Sequence, residues 1–315
     1  MKRYFGALFA FLLLSLPAQA ATCFWVGGTG DFDNANVASW SSSTGGAGST
    51  CAATGGIPKN NTDVATFDAN SGGGTVTVCG AASANCPSSA GNLNLGTGSI
   101  NITGFGGTLD FAAIDPAVTM GSFICGSTGT RTMSMGDGTW TVGNTAGTVW
   151  SCGTPTGLTL NANGSTLLFN GTSTSSGRGI LLGALTYNNV TISNSPANAL
   201  PIDTANGGAF TIGGSLTLTG VRFFRLTAGV THTITGTFTF DGATNAPAML
   251  LTNGSAATVS VAAANTWSWI AIANITISGA GTIAANNSFN TGGATGAGLT
   301  INNPASGGGN NCIGC

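Results

Sequence analysis

Apolar residues alternate with polar ones in short runs, and glycine or asparagine closes nearly every run. The inward candidates come in pairs two residues apart, among them Leu93/Leu95, Ile100/Ile102, Leu109/Phe111, Met133/Met135, Trp140/Val142 and Leu167/Phe169. The series continues with Val190/Ile192, Leu216/Leu218, Phe238/Phe240, Val259/Val261, Trp267/Trp269, Ile275/Ile277 and Leu299/Ile301. Period two predicts β-strands that bury one face and expose Thr, Ser or Asn on the other. Residues 21 onward show no amphipathic helical period.

The pairs return at a longer interval. Leu216 to Phe238, Phe238 to Val259 and Ile277 to Leu299 are spaced by 22, 21 and 22 residues. A repeat near 20 with two or three strands per turn predicts a β-solenoid, an all-β right-handed parallel β-helix. An antiparallel sandwich also suits short strands but supplies no reason for the return. At this period residues 75–303 make about eleven rungs, a rod of roughly 50 Å at about 4.8 Å per rung. Asparagines 188, 189, 253, 274, 286 and 287 sit where left-handed corners are expected.

The ends read differently. Lys2 and Arg3 precede an apolar run over residues 4–16, and Ala18-Gln19-Ala20 supplies a small-x-small cleavage pattern. Residues 1–20 are therefore a predicted signal peptide. An uncleaved anchor would need a longer apolar run. Export to the cell surface or medium, or to the periplasm, follows. Residues 21–74 lack the repeat and are the predicted N-terminal cap, since an open solenoid end would template aggregation. Residues 304–315 form a tail ending in Cys312-Ile313-Gly314-Cys315.

The cap carries a resemblance. Trp25-Val26-Gly27-Gly28-Thr29-Gly30, then Trp40, Pro58, Asp63 and Phe67-Asp68, is similar to the opening of secreted bacterial and phage-encoded β-solenoid surface proteins. Residues 188–193 and 286–301 look like that group as well, whereas Phe32 stands where a second tryptophan is usual. The resemblance implies an adhesin-like or appendage-like role and carries over no catalytic residues.

Composition narrows the chemistry. Only 5% of residues are charged, with nine acidic residues, all aspartate, against seven basic ones. Loss of Lys2 and Arg3 leaves five basic residues against nine acidic, a net charge of −4. Nucleic acid and anionic membrane surfaces need a basic footprint that such a chain lacks. The hydrophobic fraction of 42% argues against disorder. Eight cysteines, an even number, predict disulfides in an exported chain. Neighbour pairing is expected for Cys23 with Cys51, Cys79 with Cys86 and Cys125 with Cys152. Cys312 and Cys315 would close a local bridge or pair between molecules.

Candidate sites are few. Arg222 and Arg225 flank Phe223-Phe224 and precede His232, the only histidine, a patch able to hold a sugar or a carboxylate. The bland alternative points Phe223 and Leu226 inward and leaves the arginines solvated. His232 shares parity with Ile234 and so faces the core. Asp203 and Asp241, near two rungs apart, would come within roughly 10 Å on a shared face, as glycoside cleavage needs. Asp31, Asp33 and Asn36 have calcium-like spacing but no closing glutamate, and turn formation explains them as well. No cofactor is expected.

A non-enzymatic surface scaffold is the leading expectation, with glycans, cell-surface proteins or further copies of itself as partners. A carbohydrate-binding or polysaccharide-cleaving β-helix is the rival. Ice binding is a third class. It requires outward Thr-x-Thr in register, and the run Thr231 to Thr239 is interrupted downstream by Val259, Trp267 and Ala273.

Overall fold

A computed structural model describes residues 20–32, 39–51, 53, 56–58, 62–78, 92–126, 129–144, 147–171, 178–193, 202–204 and 207–304. Residues 1–19 of the predicted signal peptide, the Cys79–Cys86 pair, the terminal CxxC, Asp33 and Asn36 lie outside them.

Successive strands are dealt in rotation to three faces. The first face is a 12-stranded sheet that runs from Thr22–Trp25 through Val64–Thr66, Ser99–Asn101 and Ser122–Ile124 to Phe289–Gly292. One of its strands, Trp40–Ser41, pairs antiparallel with Thr22–Trp25, which leaves eleven coils stacked in parallel. The second face is two 5-stranded sheets, one ending at Leu158–Asn161 and the other starting at Thr186–Tyr187. The third is a 7-stranded sheet from Leu93–Asn94 to Phe238–Phe240, followed by a 3-stranded one. A parallel bridge from Asp241 to Ser268 joins those two. The chain is thus all-β, with stacked parallel sheets as a β-solenoid requires.

Alternation does what period two predicts. Leu216, Leu218, Phe238 and Phe240 are buried, and Thr217 and Thr239 between them are not. In-register stacking piles like on like: Phe123 pairs with Trp150, and their rings stack with centroids 4.5 Å apart. Five buried tryptophans each spend the indole N–H on an oxygen acceptor, as in Trp267 to the Phe238 carbonyl at 2.7 Å. Buried donors would otherwise cost about 1–3 kcal/mol apiece.

Three readings need correction. The repeat is uneven, with register partners from 16 residues apart (Ile283 and Leu299) to 46 (Gly30 and Val76). Leu216 does pair with Phe238, but Val259 pairs with His232 and Leu299 with Ile283. Unequal corners carry a fixed spacing onto a different face. Phe224 rather than Phe223 points inward with Leu226, in keeping with strand parity. Trp269 is a half-buried corner residue at φ 59°, which releases it from the parity of Trp267. Asn274 and Asn287 do adopt left-handed corners, at φ 55° and 49°.

Two predicted disulfides are present. Cys23 meets Cys51, and Cys125 meets Cys152, each with Cα atoms 5.3 Å apart. The second follows from register: Ile124 pairs with Ser151, so the next residue of each coil lies side by side. Gly183 sits one coil further on, at φ 73°, where a Cβ would run into the Cys152 carbonyl oxygen. Among the described residues no helix is long and apolar enough to cross a membrane.

Candidate binding faces

The expected arginine–histidine patch does not assemble. Arg222 is exposed and Arg225 half-buried on the outside of the 12-stranded sheet, whereas His232 is buried in another sheet. The imidazole packs 4.3 Å from the Phe210 ring, and its Nε2 lies 3.3 Å from the Thr227 carbonyl oxygen. Nδ1 is buried without a partner. Burial lowers its pKa to about 4 from the ordinary 6.5, with the Thr227 contact opposing weakly.

That shift carries a sign. The folded imidazole stays neutral down to about pH 4, but the unfolded one charges below about 6.5, so the unfolded chain binds more protons in between. His232 therefore lends its full stability above about pH 6.5 and loses it as the pH falls toward 4. The expected loss between pH 7.5 and 4.5 is roughly 2–3 kcal/mol. Denaturant midpoints at the two pH values measure it. His232→Leu should remove that part of the difference, and an unchanged difference would refute the assignment.

The carboxylates are also dispersed. Asp203 is paired in register with Arg225 on the 12-stranded sheet, and Asp241 ends a strand of the 7-stranded sheet. These two do not share a face: Asp203 pairs with Arg225, and Arg225 with Leu251, so position 241 is reached before the second turn returns to that sheet. Asp31 is half-buried at the end of Gly30–Asp31. Most of the remaining aspartates hold corners by accepting backbone N–H groups. Asp110 accepts from Ala112 at 2.9 Å, Asp115 from Asp137 at 2.7 Å, Asp137 from Gly164 at 2.7 Å and Asp241 from Ser268 at 2.8 Å. Asp68 accepts from Asn70 at 2.8 Å and Asp63 from Ala21 at 3.1 Å. Six of nine carboxylates are thus engaged by the fold.

Two arginines that sequence reasoning passed over lie inside. Arg131 is 1% exposed and caps a corner, donating to the carbonyls of Gly129 (2.9 Å), Thr156 (3.2 Å), Gly126 (2.8 Å) and Cys125. Arg178 is 0% exposed, and its three guanidinium nitrogens have no hydrogen-bond partner among the described residues. Burial lowers its pKa to about 10. Strand parity could have flagged both, since Arg131 precedes Met133 by two residues and Arg178 precedes Ile180 by two.

What the coils do bring together is hydroxyls. On the 7-stranded sheet one outward column runs Asn94, Thr119, Thr141, Leu168, Thr191, Thr217, Thr239, each paired in register with the next. Beside it a second column runs Thr139, Thr166 and Asn189, again in register. Asn189 accepts from the Ser215 amide at 3.0 Å, and Thr237 donates to the Ser215 hydroxyl at 2.9 Å, which extends the column by two places. Strands stack about 4.8 Å apart and alternate residues repeat about every 6.7 Å, so the columns form a grid. No pairing in this sheet shifts register, whereas the 12-stranded sheet shifts at Thr148/Trp150 and at Ile272/Ala273.

The second face repeats the chemistry in two blocks. Thr75, Thr108, Thr132 and Thr159 form one column and Thr231, Thr258, Thr276 and Thr295 another. The first face is apolar toward its C-terminal end, where half-buried Phe223, Met249 and Phe289 share one column with the buried Ala271. Val259 and Trp267 are buried, and Ala273 belongs to the first face, so none of them interrupts a hydroxyl column.

No protein-family model matches the chain, nor does any curated protein or solved structure.

Proposed function

We propose that the chain is an exported, right-handed parallel β-helix that acts as a non-catalytic, adhesin-like surface scaffold. The hand is inferred from the strong preference of parallel crossovers for the right-handed path. Cleavage of a signal peptide over residues 1–20 supplies the route out, and two disulfides suit the oxidising compartment it leads to.

One observation carries the functional reading. Ordered repetition falls on the outward side chains, while the carboxylates are scattered among corners and occupied by backbone amides. Acid–base chemistry needs two positioned ionisable groups with separated proton affinities. A scaffold needs broad, rigid, repetitive faces, and the hydroxyl columns are of that kind. Glycans and cell-surface proteins are partners that such polar faces can take, and the apolar column leaves room for self-association.

The test is incubation of purified protein with neutral and acidic polysaccharides, scored both for bound protein and for new reducing or unsaturated ends. Retention on a solid glycan or on cells without product is expected. Depolymerisation that Asp203→Asn or Asp241→Asn abolishes with the fold intact would replace this reading with the glycan-cleaving one.

A further inference from the structure

We infer that the 7-stranded face binds a crystalline lattice of water, so that its ligand is ice. The inference rests on the scaffold reading and names what one face of the scaffold holds.

The argument starts from periodicity. A grid of side chains at about 4.8 by about 6.7 Å is filled only by a ligand that repeats at a matching pitch in two directions. Rows of oxygen atoms in hexagonal ice recur at comparable intervals along two perpendicular directions. A folded protein partner without stacked coils offers no such repeat.

The side-chain chemistry points the same way. Seven of the ten grid places over the five coils from Thr139 to Thr239 are threonine, with Ser215, Asn189 and Leu168 in the others. Threonine is β-branched and stiff at χ1, so each hydroxyl and methyl is already held in place. Binding then forfeits little side-chain entropy. Hydroxyls anchor waters at fixed positions, and immobilising ordered waters of this kind costs little. The threonine methyls offer those waters no competing hydrogen bonds.

Charge and aromaticity set ice apart from a sugar ligand. No place in the grid is ionisable, and an ion there would impose its own hydration shell. A pyranose is gripped by an aromatic plate or by paired carboxylates, and the grid holds neither. Asp241 stands one place beyond Thr239, outside the two columns, and is occupied by the Ser268 amide.

The experiment measures partition of the full disulfide-bonded chain into slowly grown ice, together with thermal hysteresis. Enrichment in the ice fraction and faceted crystal growth are expected. Thr191→Lys with Thr217→Lys should abolish both while the circular dichroism spectrum and unfolding midpoint hold. Ser122→Lys with Ser151→Lys, outward on the 12-stranded sheet, should change neither. If the first pair does not fold, Thr239→Lys at an exposed place poses the same question. Exclusion of the parent chain from ice overturns the inference, as does ice activity that survives the grid variants. Loss confined to Thr258→Lys with Thr276→Lys would overturn the choice of face. A parent chain inert toward ice, whose grid variants lose retention on a solid polysaccharide, refutes ice while the scaffold reading stands. Turnover of that polysaccharide would refute the scaffold reading itself.

Discussion

Leu218→Asp and Phe240→Asp are each expected to unfold several coils, at a cost of several kcal/mol. Both side chains are buried and stacked in one inward column that runs through Ile192, Leu218 and Phe240. The Phe240 ring also packs 6.2 Å from the Trp267 ring. An aspartate there is a charge buried among apolar side chains, and leaving a buried charge unpaired typically costs about 3–5 kcal/mol. Because each coil is held only by its neighbours, the damage should spread along the stack rather than stay local. Thr217→Asp and Thr239→Asp change the same chemistry on the outward side and should cost within about 1 kcal/mol. Denaturant midpoints by circular dichroism compare the four variants. Equal loss from both pairs would mean that the inward phase is wrong.

Opposite signs are expected from the two interior arginines. Arg178→Met should raise stability by about 1–4 kcal/mol, because it replaces a buried cation, unpartnered among the described residues, with an apolar chain of similar length. Arg131→Met should lower it by roughly 3 kcal/mol, since four corner carbonyls lose their shared donor. Paired thermal and denaturant melts settle the matter, and a shift of the same sign for both would contradict the hydrogen-bond assignment. The site of Arg178 also shows why strand parity alone misleads. It places the side chain inside but says nothing of whether an acceptor waits there.

Parity was the legible part of this fold. Leu216, Leu218, Phe238 and Phe240 read as inward from one strand at a time, and so did His232, because alternation is a local property of the backbone. Register is not local. It depends on how many residues each corner absorbs, and that number changes from coil to coil. Phe238 and Val259 therefore looked like one column yet belong to different faces. For the same reason Thr231 to Thr239 read as one ladder, but a corner at Thr235-Gly236 sends Thr231 and Thr233 to one face and Thr237 and Thr239 to the next. The hydroxyl columns exist only between coils in register, which no single strand specifies. The cysteine pairs were legible because neighbours in order became neighbours in space, as with Cys125 and Cys152.

Uneven coils bear on how such a molecule can grow. Ile283 and Leu299, 16 residues apart, and Phe223 and Met249, 26 apart, keep the same parallel pairing without a register shift, so the excess is carried by corner loops that leave the faces undisturbed. Length in a loop is then cheap, since doubling it adds only about 0.6 kcal/mol of closure entropy. A single residue inserted inside a strand is costly, because it exchanges the two sides of that coil. Duplication of a whole coil adds one row to every face at once, at about 4.8 Å of rod, whatever number of residues it contains. A lineage can in this way tune avidity by counting coils while the chemistry of each row stays as it was.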